Sequence, residues 1–279
     1  LTARNLEGRR ATRMIVLTDG DPTEGIKEFS ALTAFAAEIK ARGVSVTFLG
    51  FGPDYNEELL AGMAKRAGGT YRYVADPRQI ADVFKAELGK LSSTVARNLR
   101  LRMKPARWVT LKAPISAGSG QEVEFPLADL ERGTSLAQVI DLEMPNHPRG
   151  WYRVLAGQLV YEDLLDGQEK ITDIDVVVEF TSDAARYEAP QDPRVAAAAD
   201  VQLVAKAVER TVMGLKTGSL DRTQALAELN KTQLLLSAEG RTQEAREVTI
   251  AMQAIRTGDV SGAEKTLLGT AIDLGAGKK

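Results

Sequence analysis

Short apolar runs alternate with amphipathic stretches through residues 12–96. The runs predict three strands, over residues 14–17, 44–49 and 71–74. The stretches between and after them predict three helices, over residues 29–42, over residues 56–67 and from residue 76 onward. This alternation is typical of a parallel sheet whose strands are joined by crossover helices. Both faces of such a sheet are covered, which explains why the strands are continuously apolar.

The predicted helices carry apolar residues at helical spacing, and we expect these residues to face the sheet. Gly43 follows the first helix, and Asp76-Pro77 opens the third with a capping aspartate and a proline at the first helical position. The residues expected inside are Phe29, Leu32, Phe35, Ala36 and Ile39 in the first helix and Ile80, Val83, Phe84, Leu88 and Leu91 in the third.

From residue 97 to about residue 186 the apolar period changes to two. Leu99, Leu101 and Met103 alternate with Arg100, Arg102 and Lys104, and the same alternation recurs over residues 122–127 and 173–180. One face of each strand is therefore expected to be buried and the other solvated. With further strands expected near residues 108–115, 136–144 and 152–161, the pattern predicts an antiparallel sandwich of about six or seven strands.

A helical period returns after the linker Pro190-Gln191-Asp192-Pro193, whose aspartate is a predicted helix cap. Four amphipathic stretches come after it. A weak self-similarity after Gly218, Gly240 and Gly258 leaves stacked hairpins of the tetratricopeptide kind open, but the full repeat pattern is missing and a four-helix bundle is favoured. The fold class predicted for the chain is a partial doubly wound α/β region over residues 1–96, an all-β sandwich over 97–189 and an α-helical bundle over 190–279.

Composition narrows the classes of function. The chain has 36 basic and 38 acidic side chains and a net charge of −2, which gives no field that would attract nucleic acid. It has no cysteine, so disulfides and thiolate metal sites are excluded. No apolar run approaches the roughly 18 residues of a membrane span. The first residues do not resemble a signal peptide, and the compartment stays open.

Candidate chemistry lies where the first strand ends. Residues 14–17 run directly into Thr18-Asp19-Gly20-Asp21. In an open parallel sheet, ligands bind at the carboxyl ends of the strands. A carboxylate held there by a rigid strand suits a hard divalent cation. The alternative is that Asp19-Gly20 only makes the turn and Asp21 caps the next segment.

Four motifs, in order and suitably spaced, resemble the von Willebrand factor type A domain. They are Leu17-Thr18-Asp19-Gly20, Gly50-Phe51-Gly52, Asn56-Glu57-Glu58-Leu59-Leu60 and Gly68-Gly69-Thr70-Tyr71. The resemblance implies that Asp19 helps to hold Mg²⁺ in a metal-ion-dependent adhesion site, with Thr18, Gly20 and Asp21 as neighbouring binding residues. It also implies that the site grips an acidic residue of a protein partner.

Two parts of the family pattern do not occur in this chain. No Asp-x-Ser/Thr-x-Ser/Thr segment is present, and the central strand of the family's sheet should precede Leu1. One carboxylate does not hold Mg²⁺ usefully, and half a sheet would expose an unpaired edge. We therefore expect the site to be completed by sequence upstream of residue 1. A second chain, a proteolytic fragment or omitted sequence would supply this N-terminal half of the domain.

The order of regions is similar to bacterial type A proteins labelled calcium-activated chloride channel homologues, although nothing in this sequence could form a pore. Some bacterial type A proteins of this sort work beside AAA-type ATPases of the MoxR class, so the resemblance suggests such an ATPase as a partner.

Three further signals bear on other classes of function. Gly50-Phe51-Gly52 resembles a dinucleotide loop, but Tyr55 stands where the third glycine should be. His147, the one histidine, lies in a proline-flanked turn and is expected at the surface rather than in a catalytic triad. The basic residues between Arg97 and Arg107 alternate with apolar ones, as on the wet face of a strand.

The sequence thus predicts a non-enzymatic, magnesium-dependent protein-interaction module. A metal-independent scaffold that binds through the helical tail is the first alternative. A nucleotide-binding α/β enzyme is the second.

Overall fold

The computed structural model describes residues 11–52, 54–113, 120–189 and 192–278. Three strands form a parallel sheet in the order β1-β2-β3, in which Thr12 pairs with Val44 and Thr47 with Thr70. The strands are β1 (Thr12–Thr18), β2 (Val44–Phe51) and β3 (Thr70–Val74). The helices of this region are α1 (Phe29–Ala41), α2 (Glu57–Arg66) and α3 (Ile80–Ser93), the last preceded by a 3₁₀ turn over Pro77–Gln79. The predicted parallel α/β region is confirmed.

The three strands differ in burial. Every residue of β2 from Val44 to Gly50 is buried, as expected of a central strand with both faces covered. No residue of β1 is buried, and Leu17 is 47% exposed although β1 is as apolar as β2. β1 therefore forms an edge of the described sheet whose far side is not covered by the described residues.

The predicted inner face of α1 is wrong in two positions. Phe29 and Phe35 are 53% and 55% exposed, whereas Lys40 is 3% exposed. Lys40 is buried because its ammonium donates to the carboxylate of Asp129 at 2.7 Å. A buried charge needs such a partner, and periodicity does not reveal one 89 residues away.

The predicted inner face of α3 is also wrong in part. Phe84 and Leu88 are 37% and 59% exposed, and the residue turned inward is Glu87, at 1%. Its carboxylate accepts from the Arg13 guanidinium of β1 at 2.7 Å and from the Thr47 hydroxyl of β2 at 2.9 Å. An ion pair with β1 and a hydrogen bond from β2, made by a buried carboxylate, hold this face of α3 to the sheet.

Seven antiparallel strands come next in the chain and share one core. The larger sheet has the order β10-β9-β4-β6, with β7 also paired to β4, and β5 pairs with β8 in a second, smaller sheet. Leu101 of β4, Leu111 of β5 and Leu155 of β9 belong to the same buried cluster, so both sheets face it. The strands are β4 (Thr94–Pro105), β5 (Thr110–Ala113), β6 (Val123–Pro126), β7 (Leu130–Glu131), β8 (Asp141–Glu143), β9 (Gly150–Asp163) and β10 (Glu169–Phe180).

The predicted alternation is observed, since Leu99, Leu101 and Met103 are buried. The strand expected over residues 136–144 is shorter than predicted, because Leu136 instead bridges to Lys278 near the carboxyl end of the chain. Of the strand expected over residues 108–115, the last two residues lie outside the described part of the chain.

A short helix and four long ones complete the described chain. They are α4 (Ala184–Tyr187), α5 (Pro193–Thr217), α6 (Arg222–Ala238), α7 (Thr242–Thr257) and α8 (Val260–Gly275). Asp192 caps α5 by accepting from the amide of Arg194, as predicted. Helices α5 to α8 pack around a shared core that includes Val208, Leu229, Val248 and Leu267, which confirms the helical bundle. No helix among the described residues meets the length and apolarity that a bilayer crossing requires.

The bundle packs directly on the parallel sheet. Leu268 and Ile272 of α8 join the core cluster that contains Val46, Phe48 and Tyr71. Gly269 lies so close to β3 that a Cβ added there would be 3.1 Å from the carbonyl oxygen of Tyr71. Helix α8 therefore covers the side of the sheet at β3, while the β1 edge remains open in the described chain.

Candidate functional site

The end of β1 places the predicted metal ligand at the surface. The Thr18 hydroxyl donates to the carbonyl oxygen of Gly20 at 2.8 Å, which closes a tight turn around Asp19. The side chain of Asp19 is exposed, and within the described residues it makes no hydrogen bond or ion pair. The structure thus brings Thr18, Asp19 and Gly20 together as one turn at the carboxyl edge of the sheet.

Asp21 has a different task in the described structure. Its carboxylate accepts from the backbone amide of Asn56 at 2.8 Å, and Asn56 in turn caps α2 by accepting from the amide of Leu59. Asp21 therefore ties the loop after β1 to the start of α2. The Thr18–Gly20 hydrogen bond forms a turn at Asp19-Gly20, and Asp21 bonds across to Asn56 rather than within its own loop.

The residues present do not make a magnesium site by themselves. Within the described ranges, no group of three or more His, Cys, Asp or Glu side chains is placed to hold a metal ion. Mg²⁺ gives up its water shell only to several oxygen ligands. Asp19 fits the role of one such ligand, and the described chain does not supply the rest.

The glycine motif that ends β2 accommodates a tyrosine. A Cβ on Gly50 would lie 2.1 Å from the ring of Tyr55, so only glycine leaves space for that ring. The Tyr55 hydroxyl pairs with the Tyr71 hydroxyl at 2.7 Å, and burial raises the pKa of both. The space in front of Gly50, where a phosphate would approach in a dinucleotide loop, is therefore filled by a neutral phenol.

Two lysines of the bundle reach this same edge. The Lys216 ammonium, at the end of α5, donates to Glu57 at 2.6 Å and to Glu58 at 2.9 Å, in the first turn of α2. The Lys265 ammonium of α8 lies 4.2 Å from the ring centroid of Tyr55 and donates to the carbonyl oxygen of Gly52 at 3.4 Å. Lys265 is only 2% exposed.

Glu57 and Lys216 shift each other's pKa. Burial raises the pKa of Glu57, but the hydrogen bond and charge of Lys216 outweigh it, so the pKa lies below its usual value. Burial lowers the pKa of Lys216, but bonding to Glu57 and Glu58 outweighs it and raises the pKa. Both groups are therefore charged at neutral pH, as an ion pair requires.

Sequence reasoning missed Tyr55, Lys216 and Lys265. For Lys265 a signal was present. In α8, Leu267, Ala271 and Leu274 face the bundle core. Leu268 and Ile272 are apolar but lie on a different face of the helix, and Lys265, three residues before Leu268, lies on that same face. For Lys216 there was none, because its partners lie more than 150 residues away.

The remaining predicted signals have structural roles. His147 is half-buried rather than exposed, and its ring stacks on Trp108 with centroids 4.5 Å apart. Arg100 pairs with Glu169 at 2.7 Å and Arg102 with Glu124 at 2.5 Å. Three of the basic residues of this string, Arg97, Arg100 and Arg102, are thus paired with carboxylates in the described structure.

Comparison with known proteins shows what the first region is similar to. Residues 2–86 match the family model of the von Willebrand factor type A domain. A solved von Willebrand factor type A protein from Catenulispora acidiphila superposes with a TM-score of 0.60 at 18% identity, covering 85% of this chain and 57% of that one. VWA2 of Sulfolobus acidocaldarius, an ArnB paralog, gives 0.53 at 15% identity, covering 92% and 63%. These two likenesses show the fold.

Two curated relatives are similar in sequence. The uncharacterized protein YfbK of Escherichia coli is 28% identical over 101 residues, which are 35% of this chain and 17% of that protein. The uncharacterized protein sll0103 of Synechocystis is 23% identical over 170 residues, 60% of this chain and 38% of that protein. The chain thus spans less than two fifths of either relative. These matches give no support to the chloride channel homologue label.

Proposed function

We propose that the von Willebrand factor type A domain matched over residues 2–86 works as a protein-interaction module, and that its contact face is the carboxyl edge of the parallel sheet around Asp19. One observation carries the proposal. The Asp19 carboxylate is exposed, its backbone is held by the Thr18 turn, and its side chain has no protein partner among the described residues. A charged group on a backbone that is already ordered binds with a smaller loss of entropy than one on an unrestrained loop.

The proposed binding chemistry is magnesium bridging. Asp19 supplies one oxygen ligand, polypeptide upstream of residue 1 supplies others, and an acidic side chain of the partner completes the shell. The preference of Mg²⁺ for carboxylate oxygens supports this assignment. The role is binding and not catalysis.

The open edge of β1 supports the expected second piece of the domain. The apolar residues of β1 are only partly buried, and Leu17 is 47% exposed. A further strand paired with this edge would bury them and bond the backbone groups of β1 that have no strand partner among the described residues. We propose that the N-terminal half of the domain, as a separate chain, a fragment or preceding sequence, takes this position next to Asp19. The proposal that an AAA-type ATPase of the MoxR class is a partner is supported by the family resemblance alone.

Affinity capture with quantitative mass spectrometry tests the proposal. The chain, with whatever polypeptide precedes Leu1 in the natural protein, serves as bait in Mg²⁺ and in EDTA. We expect a set of partners that is retained in Mg²⁺, lost in EDTA and restored when Mg²⁺ is returned. Asp19→Ala should lose the same set, because it removes a metal ligand.

Asp54→Ala is the matched control, since Asp54 is also exposed in the connection after β2 but is not a proposed ligand. It should retain the partners. Capture that is identical in Mg²⁺ and EDTA and unaffected by Asp19→Ala would overturn the proposal.

That outcome would favour the scaffold alternative, in which the helical bundle binds without metal. The bundle exposes Leu203 at 61%, Leu234 at 60% and Leu235 at 53%, and these leucines lie outside its buried core. Replacing these leucines by glutamine should then abolish capture, whereas Asp19→Ala should not.

A further inference from the structure

The connection from β2 to α2 is held by contacts on two sides. On the side of β1, the amide of Asn56 donates to the carboxylate of Asp21 at 2.8 Å. On the side of the bundle, Lys216 binds the next two residues, Glu57 and Glu58. Residues 56–58 therefore bond to the Asp19–Asp21 loop on one side and to the end of α5 on the other.

The ion pair between Lys216 and Glu57 is partly shielded from solvent. Its side chain is 21% exposed and that of Glu57 is 16% exposed, so solvent screens this pair less than a surface pair. The ammonium serves two carboxylates at once, which restrains both residues in the first turn of α2. Removing it would leave two adjacent carboxylates, one of them mostly buried, without the cation that they both bond, and only the weaker influence of Lys265 would remain on Glu57.

Loss of the Lys216 contact would affect Asn56 first and Asp21 next. Carboxylates in the first turn lie where the amides of a helix start need acceptors, and Asn56 is the residue that caps α2. If Glu57 and Glu58 repel each other and turn to solvent, the position of the Asn56 amide changes. Asp21 then loses its donor, and the loop from Asp19 to Gly25 loses its attachment to α2.

We infer that Lys216 is a positioning residue for the contact face: the end of the helical bundle fixes the start of α2, and through Asn56 and Asp21 it fixes the loop that presents Asp19. The inference rests on the proposed function of that face. In this inference the helical bundle positions the contact face and is not an independent docking tail.

Hydrogen exchange on the chain, with whatever polypeptide precedes Leu1 in the natural protein, tests the inference without any binding partner. In Lys216→Met, the hydrogen-bonded amides of Asn56, Leu59 and Leu60 should exchange about fivefold faster, as expected for losing a partly buried ion pair. Lys216→Arg keeps the charge and should restore wild-type exchange. Lys231→Met is the matched control, because it removes the exposed Lys231–Glu228 pair of α6, and it should leave these three amides unchanged.

A merely structural role for Lys216 predicts another pattern. Exchange would then rise in α5 and α8 along with the whole chain, with no excess at Asn56, Leu59 and Leu60, and this result would overturn the inference. So would equal exchange in Lys216→Met and wild type.

The binding assay separates this inference from the proposed function. If wild-type capture depends on Mg²⁺ and on Asp19, Lys216→Met should weaken it about fivefold and Lys216→Arg should restore it. If capture is the same in Mg²⁺ and in EDTA while Lys216→Met still shows the expected faster hydrogen exchange, the proposed function has failed but the positioning by Lys216 has not. If capture depends on Mg²⁺ and Lys216→Met binds like wild type, positioning alone has failed.

Discussion

Gly50 has no side chain, and this allows Tyr55 to pack across the end of β2. The ring of Tyr55 lies where a Cβ of residue 50 would be, and its hydroxyl joins that of Tyr71 beneath Lys265. This explains a glycine that the sequence alone associated with nucleotide loops. The aromatic ring belongs to the structural support of the edge.

Gly50→Ala should destabilise the chain by about 2–3 kcal/mol, because the added methyl group overlaps a buried ring that has no room to move. Urea denaturation measures the change. Gly89→Ala is the control, since Gly89 lies inside α3 with nothing within 4 Å of its added Cβ. It should stabilise by about 0.5–1 kcal/mol, as alanine does in a helix. Equal effects of the two substitutions would contradict the assigned role of Gly50.

A second residue-scale feature is the charge cluster where β3 meets the bundle. The Arg72 guanidinium donates to Glu247 of α7 and to Asp273 of α8, both at 3.2 Å. Two carboxylates share one guanidinium, with the Thr270 hydroxyl also bonded to Glu247. Burial raises the pKa of Asp273 to about 6, although Arg72 and, more weakly, Lys90 pull it down.

The raised pKa of Asp273 sets the sign of its pH effect. The folded pKa lies above the ordinary value of 3.8, so the contribution to stability is fully present below about pH 3.8 and is lost as the pH rises through about 6. We expect a loss on the order of 3 kcal/mol across this window from Asp273. Asp273→Asn should flatten the dependence of Tm on pH between about pH 4 and pH 7.

Glu87 offers the opposite sign as a control. Burial raises its pKa, but Lys90, Arg13 and Thr47 outweigh burial and lower it to about 2. Its contribution is present above about pH 4.5 and is lost as the pH falls through about 2. Glu87→Gln should therefore lower Tm at neutral pH, whereas Asp273→Asn should not. An unchanged pH profile in Asp273→Asn would refute the assignment.

Sequence reasoning at this scale found the residues marked by local motifs and missed those defined by distant partners. Asp19, Gly43, Asp76 and Asp192 were identified because a turn, a helix end or a cap is encoded within a few residues. Lys40, Glu87 and Lys216 were not, because their burial depends on charges on other elements. The exposure of Phe29 and Phe35 was missed for the same reason, since these helices bury ionic side chains instead.

Among the elements, α8 unites the three regions. It contributes to the bundle core, packs beside β3, and ends in a contact with the segment before β8. There, the amide of Ala137 donates to the carbonyl oxygen of Gly277 at 3.0 Å, and Leu136 bridges to Lys278. The Lys278 ammonium also pairs with Glu131 at 2.8 Å.

Gly277→Ala should disrupt this junction. Gly277 has a φ of +69°, and an added Cβ would lie 1.9 Å from the carbonyl oxygen of Ala137. Gly240→Ala isolates the backbone penalty, because Gly240 has a φ of +71° with nothing within 4 Å of its Cβ. We expect about 1 kcal/mol of destabilisation for Gly240→Ala and at least about 2 kcal/mol more for Gly277→Ala, measured by chemical denaturation. Equal losses would show that α8 is not fastened to the sandwich.

The elements themselves were largely predictable because each kind has its own hydrophobic period. A period of two located the strands around Leu101 and Phe125, and a period of 3.6 located the four bundle helices. The packing of α8 on β3 was not predictable, because two apolar residues outside a helix's main stripe do not say which surface they meet.

Across the molecule as a whole, the regions distinguished in the sequence are joined by buried contacts. Lys40 of α1 reaches Asp129 before β7, Arg72 of β3 reaches α7 and α8, and Gly277 reaches the sandwich. Units linked through buried ionic and backbone contacts should unfold together.

The two tryptophans make this expectation measurable. Trp108 and Trp151 both lie in the antiparallel region, so fluorescence reports its unfolding, while circular dichroism near 222 nm is dominated by the helices. We expect coincident thermal midpoints by the two probes and a single calorimetric peak. Midpoints separated by more than about 5 °C would show that the regions are independent.

Titration calorimetry with a partner isolated by Mg²⁺-dependent capture decides whether Asp19 binds that partner through Mg²⁺. We expect affinity to fall by at least about a hundredfold on replacing Mg²⁺ with EDTA, and by a similar factor in Asp19→Ala at saturating Mg²⁺. Asp54→Ala should leave affinity unchanged. Equal affinity with and without Mg²⁺, in wild type and Asp19→Ala alike, would rule out a magnesium bridge at Asp19.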